Sequence, residues 1–213
     1  MKRLGSKKHQ RWTDHFSERA KKERYPARSV FKLKEAQNKF RLIKKGDRVL
    51  DLGCSPGSWL LYAAELTGKH GSVLGIDLKA VRIKLPPQAQ TLTADILTID
   101  RAWFDGQELS YRFNVVLSDM APATTGNKGL DAARSFQLCQ TALDIAEMVL
   151  KPGGSFMCKI FQGEEFKEFS DNVRNRFKGH KIFKPLSSRK ESKEIFIMGM
   201  GFRGSDKAIA ISK

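Results

Sequence analysis

The sequence predicts an α/β fold class, an open and doubly wound parallel sheet, and three observations lead to it. From residue 46 onward, short apolar runs that suit buried strands alternate with segments of helical periodicity. The first run, RVLDLG, leads into a glycine-rich turn, as the first strand does in sheets that bind nucleotides. At 213 residues the chain is long enough for one α/β domain and short for two, so all elements should share one core.

Seven strands and the helices between them follow in chain order. The expected strands are RVLDLG, which ends at Gly53, and residues 72–78, 89–95, 113–119, 155–161, 180–183 and 194–200. The expected helices cover residues 58–66, 131–150 and 164–177. The last two strands are rich in β-branched and aromatic residues and suit a closing pair. The prediction is a seven-stranded, mostly parallel sheet with helices on both faces.

The positive charge is concentrated at the start of the chain. The formal net charge is +16, which exceeds what solubility requires and indicates an acidic partner. Residues 1–45 hold sixteen Lys and Arg against four acidic residues, a net charge of +12. We therefore predict a basic extension over residues 1–45, a catalytic domain over 46–203 and a short tail over 204–213.

Aromatic residues lie among the cations of this extension. Trp12, Phe16 and Tyr25 are interspersed with Lys and Arg, and Pro26 precedes a segment with an apolar helical face. Cations release counterions from phosphates and rings stack on unpaired bases, so this mixture favours contact with RNA or DNA. The alternative is a solvated basic tail with no such partner.

Several other classes of protein are disfavoured. No apolar run approaches the roughly 20 residues that a membrane span needs, and no apolar stretch follows the first charges, so we expect a cytoplasmic protein without membrane contact. Cys54, Cys139 and Cys158 lack the spacing of a disulfide framework or a zinc site and are expected as buried, small apolar residues. A single domain makes a monomer the expectation.

The glycine-rich turn, DLGCSPGSW, lacks the dinucleotide fingerprint. Residues 53–57 read G-C-S-P-G and not GxGxxG, which argues against a nicotinamide oxidoreductase. Asp77 ends the second strand at the distance where an acidic residue binds ribose hydroxyls, and Asp95 could accept from an adenine amine. With Asp51, these strand ends suit a positively charged adenosine, S-adenosylmethionine, better than NAD or ATP. The alternative is an α/β fold whose acidic strand ends bind nothing.

Two further segments suit transfer of a methyl group to oxygen. SDMAP, residues 118–122, lies where the sheet reverses its winding, but it lacks the aromatic residue with which amine-methylating enzymes stack on a base. Lys159 is surrounded by apolar residues in SFMCKIF, and loss of hydration favours the neutral amine that can act as a base. For Lys159 alone, a strand lysine that extends to solvent is the commoner interpretation.

These motifs occur together in one family. FKL at residues 31–33, DLGCSPGSW, GIDL, TAD, LSDMAP, CKIFQG and SSRKESKEIFIM resemble the FtsJ-type (RrmJ-like) heat-shock ribosomal RNA methyltransferases. The resemblance implies a Rossmann-like S-adenosylmethionine-dependent methyltransferase fold and no metal. It implies a Lys-Asp-Lys-Glu tetrad for ribose 2'-O-methylation, with Lys159 as the proton acceptor: Lys32, Asp119, Lys159 and Glu194. It also implies that the donor is contacted by Gly57, Trp59, Asp77, Asp95 and Asp119.

The resulting hypothesis is 2'-O-methylation of a ribose in RNA with S-adenosylmethionine as cofactor. Compact relatives of this length imply a uridine of large-subunit ribosomal RNA in the assembled subunit as the substrate. The alternatives are a transfer RNA ribose methyltransferase and a ribosome-assembly factor that binds RNA without catalysis. The RNA is expected to cross a basic face formed by the N-terminal extension with Arg28, Lys32, Arg174, Arg176, Arg189, Lys190 and Lys193.

Overall fold

A computed structural model describes residues 15–107, 112–189 and 191–204. Trp12 and the rest of the first fourteen residues lie outside the described residues, as do Lys190 and residues 205–213 of the expected tail. Within the described ranges, no helix is both long enough and apolar enough to cross a membrane.

The core of the molecule is one seven-stranded sheet. Its strands are β1 (Arg48–Leu52), β2 (Ser72–Asp77), β3 (Ala89–Thr93), β4 (Phe113–Ser118), β5 (Leu150–Phe161), β6 (Phe177–Phe183) and β7 (Glu194–Phe202). They lie in the order β3-β2-β1-β4-β5-β7-β6. The first five strands pair in parallel, and β7 runs antiparallel to both β5 and β6. The predicted seven-stranded, mostly parallel sheet is confirmed, and the structure shows that the closing pair is antiparallel.

Helices cover both faces of the sheet, as predicted. They are α1 (Val30–Phe40), α2 (Ser58–Thr67), α3 (Arg101–Gly106), α4 (Lys128–Val149) and α5 (Phe166–Arg176). Leu33 of α1 and Leu60 of α2 share one buried cluster with Met157 of β5, whereas Leu143 of α4 and Phe169 of α5 belong to a second cluster. Because side chains alternate along a strand, β5 supplies both clusters, and Lys159 points to the same face as Met157.

The segment before β1 packs as part of this core. Leu33, Ala36, Leu42 and Ile43 are buried in the same cluster as Val49 of β1. The packing is therefore continuous across residue 45, where the charge distribution suggested a domain boundary. Earlier residues, which are helical over 15–22, place Phe16 against Phe31 of α1 with ring centroids 5.4 Å apart.

Some elements differ from the predicted bounds. β5 begins at Leu150 and not at residue 155, because Leu150 already pairs with Phe113 of β4 and the next pair is Ser155 with Val115, so residues 151–154 form an irregularity within the strand. The sequence analysis also missed α3 and a 3-10 turn at Ile96–Thr98, which are short and are capped by the side chains of Asp100 and Asp95. The three cysteines are free and buried, as expected.

Candidate active site

The topology brings four widely separated residues to one edge of the sheet. Asp119 follows β4 directly, and Lys159 lies near the carboxyl end of the neighbouring strand β5. Because β7 is antiparallel, its first residue, Glu194, lies beside the last residue of β5, Phe161. Lys32, from the first turn of α1, completes the group above this edge.

The four side chains form an alternating chain of charges. Lys159 Nζ lies 3.0 Å from Asp119 Oδ1 and donates to the Asp119 carbonyl oxygen at 2.6 Å. Lys32 Nζ lies 3.5 Å from the same Asp119 oxygen and 3.0 Å from Glu194 Oε2. None of the four side chains is more than 15% exposed. Each buried charge therefore has an opposite charge within ion-pair distance, which offsets its loss of hydration.

The electrostatic balance keeps Glu194 ionised. Burial by itself raises the pKa of Glu194, but the ammonium of Lys32 and the nearby Ser188 hydroxyl and Lys159 bring the net pKa below its ordinary value. Glu194 is thus a fixed negative charge that holds the Lys32 ammonium in place.

Aromatic side chains pack beside the two lysines of the tetrad. Phe196 of β7 is the cross-strand partner of Lys159, and the Lys32 ammonium lies 5.8 Å from the centre of its ring. Trp59 packs on Phe196 with ring centroids 5.8 Å apart, and its Nε1 donates to the Ser29 carbonyl at 2.8 Å. The buried indole thus joins α2, the start of α1 and β7 behind the tetrad.

A cavity of about 500 Å³ opens beside the tetrad, over the carboxyl ends of β1, β2 and β4. Gly53, Asp77, Asp95 and Asp119 are among its lining residues, so Asp119 belongs to both the cavity and the tetrad. The lining does not include Gly57 or Trp59, the other residues expected at the donor.

The two acidic strand ends are held in place by backbone groups. The carboxylate of Asp77 accepts hydrogen bonds from Ser55 N at 2.9 Å and from Lys79 N at 2.8 Å, one on each oxygen. Asp95 accepts from Leu97 N at 3.0 Å. Because each carboxylate oxygen has a second acceptor site, both residues can still bind hydroxyls or amines of a ligand.

The glycine turn approaches the loop after β4 closely. Gly53 has φ +75°, and a Cβ at this position would collide with the side chain of Met120. Gly57 has φ +108° and begins α2 without a side-chain cap, and a Cβ there would lie 2.6 Å from Ile83 Cδ1. Both glycines therefore have a backbone reason to be glycine.

Asp51, which was expected among the acidic strand ends of the pocket, lies behind the cavity lining, and Leu78 and Leu97 join that lining without having been predicted. Asp51, in β1, is fully buried with no hydrogen-bond partner for either carboxylate oxygen, and its pKa is raised well above the ordinary value by burial and by Asp119 and Asp77. Leu78 and Leu97 line the cavity and are 67% and 53% exposed. In the sequence, Leu78 could have been assigned to the site because it is an apolar residue that directly follows the acidic end of a strand.

Comparisons with known proteins agree with this geometry. A sequence model of the FtsJ-like methyltransferase family matches residues 25–202. The chain is 56% identical over 199 residues to the ribosomal RNA large subunit methyltransferase E of Desulforapulum autotrophicum, covering 93% of this chain and 97% of the relative. It is 53% identical to the protein of the same name from Desulfosudis oleivorans, covering 90% and 92%.

A solved structure is also similar to this chain. It is described as a ribosomal RNA methyltransferase from Plasmodium falciparum and superposes with a TM-score of 0.72 at 26% identity, covering 84% of this chain and all of the neighbour. The family resemblance expected from the sequence motifs is confirmed, because the matched region contains the tetrad and the cavity. The chain belongs to the FtsJ-like methyltransferase family.

Proposed function

We propose that this protein transfers a methyl group from S-adenosylmethionine to the 2'-hydroxyl of a uridine ribose in large-subunit ribosomal RNA. One observation carries the proposal: Asp119 lines the cavity and also contacts Lys32 and Lys159, so a donor site and a base share one residue. The names of the two relatives described above favour large-subunit ribosomal RNA as the substrate.

The cavity suits a cationic adenosine. Asp77, Asp95 and Asp119 give it negative charge, and the unpartnered Asp51 lies behind Asp77 and Asp119. A cation in the cavity would reduce the repulsion among these carboxylates. NAD and ATP, which carry anionic phosphates, would increase it.

We assign parts of the donor to residues by their chemistry. Asp77 suits the ribose hydroxyls, and Asp95 suits the exocyclic amine of adenine. Leu78 and Leu97 offer exposed apolar surface to the adenine ring. Gly57 and Trp59 do not line the cavity, and Gly57 N donates to the Cys54 carbonyl at 2.6 Å, so we propose that both contribute by shaping the turn from β1 into α2. When bound, S-adenosylmethionine supplies an electrophilic methyl group on a positive sulfur.

The proton of the ribose hydroxyl goes to Lys159. In the proposed step, the Lys159 ammonium first releases a proton to solvent, and its Nζ then accepts the ribose proton as a neutral amine. The 2'-oxygen bonds to the methyl carbon, and the bond from that carbon to sulfur breaks and leaves a neutral thioether. Asp119 fixes the amine through its carbonyl and carboxylate oxygens, and Lys32, held by Glu194, adds positive charge near the developing oxyanion. Such charge stabilises the transition state most in a site that excludes water.

The RNA is proposed to approach over the basic face next to α1. Arg174 and Arg176 were expected in this face, but they belong to α5, which packs on the opposite side of the sheet from α1, and they are ion-paired with Asp171 and Glu147 respectively. Arg28 and Arg189 lie at the tetrad side of this face. The target nucleotide has to leave its stack to reach a buried base, which favours a loop or a flipped nucleotide.

The test is transfer of labelled methyl groups from S-adenosylmethionine to unmodified large ribosomal subunits, free ribosomal RNA and bulk transfer RNA. Digestion to nucleosides then identifies the product. We expect 2'-O-methyluridine from large subunits. Label in transfer RNA would redirect the proposal to that substrate, and tight RNA binding without transfer to any of the three would favour the assembly-factor alternative.

A further inference from the structure

Three polar atoms next to the tetrad are buried without a hydrogen-bond partner. They are Arg28 Nη1, Ser187 Oγ and Ser188 Oγ. Ser187 is 2% exposed and Ser188 is 5% exposed. A buried polar group without a partner costs about 1–3 kcal/mol, so several in one place indicate that a partner of this cluster is missing.

The backbone around these atoms is held firmly. Arg28 Nη2 donates to the Ser187 carbonyl at 2.8 Å, which orients the guanidinium and leaves Nη1 without an acceptor. The Glu35 carboxylate of α1 accepts from Leu186 N at 2.6 Å and from Ser187 N at 2.8 Å. The loop before β7 is thus fixed by two hydrogen bonds to α1 and by one from Arg28 just before that helix, so the orphaned atoms do not result from a loosely attached loop.

The electrostatics of the cluster indicate an anion. Burial lowers the pKa of Arg28, the neighbouring Arg189 lowers it further, and Glu194 acts in the opposite direction. The two guanidinium groups repel each other, and a negative charge between them reduces this repulsion. Because an arginine only donates hydrogen bonds and a serine hydroxyl is able to donate, the missing partner is an acceptor.

The cluster adjoins the reacting position. Backbone hydrogen bonds from Phe31 N to Arg28 O at 3.2 Å and from Lys32 N to Ser29 O at 3.0 Å make a helical turn, so Arg28 lies one turn before Lys32 on the same side. Ser188 is close enough to Glu194 to lower the pKa of that carboxyl. The anion site and the tetrad are therefore immediate neighbours.

We infer that Arg28, Ser187 and Ser188 bind a backbone phosphate of the RNA, adjacent to the ribose that is methylated. This inference rests on the proposed function and deepens it, because it names how the substrate is positioned. A guanidinium with one nitrogen free and two hydroxyls match the acceptor oxygens of a phosphate. Ser187 Oγ turns toward it without giving up a hydrogen bond, and Ser188 Oγ, which lies close to Glu194, turns from that carboxylate to the phosphate. Holding the phosphate next to the ribose fixes the 2'-oxygen relative to the donor.

The decisive variant is Ser187→Ala combined with Ser188→Ala, with Arg28→Gln as a second variant. The matched control is Arg101→Gln, an exposed arginine that contacts Met148 O near the opposite edge of the sheet. The Michaelis constant for large ribosomal subunits, the Michaelis constant for S-adenosylmethionine, and kcat are measured for each protein. Retention of free ribosomal RNA on filters and the thermal midpoint are measured in parallel.

We expect the double serine variant to raise the Michaelis constant for subunits and the dissociation constant of free RNA about fivefold to tenfold. Its kcat should fall as well, because the phosphate no longer fixes the 2'-oxygen, whereas its Michaelis constant for the donor should stay the same. Its thermal midpoint should not fall, since Ser187 Oγ and Ser188 Oγ have no partner within hydrogen-bonding geometry. For Arg28→Gln we expect a larger loss of RNA affinity and a salt slope shallower by about one unit.

Two outcomes would overturn the inference. One is RNA affinity and a Michaelis constant for subunits that remain at the wild-type value in the double serine variant. The other is a loss of affinity that follows a fall in the thermal midpoint, which indicates a structural role only. Failure of the proposed function is recognised separately, because wild type itself would then transfer no methyl group, while the RNA-binding assay would still report on the phosphate site.

Discussion

Replacing Lys159 by methionine tests the proposed base most directly. Methionine keeps the unbranched apolar stem that packs in β5 and removes only the amine. General-base catalysis contributes about 10²–10⁴-fold, so we expect kcat to fall by that factor, which corresponds to about 2.7–5.4 kcal/mol of barrier.

The same change should leave the fold intact. Asp119 loses a cation at 3.0 Å but keeps Lys32 at 3.5 Å. At an effective dielectric constant of about 20, these two attractions are of similar size, about 5 kcal/mol each before desolvation is subtracted. The variant should therefore lose less stability than the roughly 3–5 kcal/mol that removal of one partner costs an isolated buried ion pair.

The assay is single-turnover transfer of labelled methyl groups to large ribosomal subunits, with donor affinity measured by calorimetry. Lys151→Met is the matched control, because Lys151 lies at the opposite end of the same strand. A Lys159→Met protein that binds the donor and still keeps more than about a tenth of the wild-type kcat would refute the role of Lys159 as the base.

Three further results are expected. Asp51→Asn should remove a loss of stability that we expect in wild type as the pH rises above 3.8, because the raised pKa lets folded Asp51 keep a proton that the unfolded chain releases. Urea midpoints at about pH 5 and about pH 8 measure this, and parallel curves for both proteins would contradict it. Glu194→Gln should make the stability of the protein less sensitive to acid below pH 4.5. The pKa of Glu194 is lowered in the folded protein, so this carboxylate stabilises the fold only while it is ionised. Urea midpoints measured down to about pH 3 test this, and equal acid sensitivity of variant and wild type would count against it. Gly53→Ala should lose more stability and more donor affinity than Gly46→Ala. Both glycines have positive φ, but only at position 53 would a Cβ collide with the Met120 side chain. Equal losses of the two variants in thermal midpoint and in calorimetric donor affinity would exclude this collision as the cause.

Much of this molecule could be predicted because local patterns and topology agree. Alternating strands and helices gave the sheet, and carboxyl ends of parallel strands share an edge, so Asp77 and Asp119 were expected near one another. The family motifs predicted that Lys32 and Glu194 also lie there. Their contact depends on how α1 packs on the sheet and on the antiparallel direction of β7. Their distances of 3.0–3.5 Å fit that expectation, while their catalytic roles stay predictions.

Other features were beyond the sequence because they depend on three-dimensional packing. Asp51 was visible as a strand residue, but the raised pKa and the absence of partners follow from its complete burial beside two carboxylates. The orphaned atoms of Arg28 and Ser187 exist only because a loop 159 residues away in sequence is fixed to α1. Composition indicated a basic face, but it could not distinguish this cluster from Arg174, which is neutralised locally by Asp171.

Because β7 is antiparallel, the loop that precedes it reaches the functional edge separately from the residues that line the cavity. The reversed course of β7 brings the loop before Glu194 to the functional edge, although none of the loop's described residues lines the cavity beside the tetrad. On the proposed function, we expect mutations or insertions in that loop to alter which RNA is accepted while donor affinity stays the same. We expect exchange of this loop between relatives to be a practical route to new substrate preference in the laboratory.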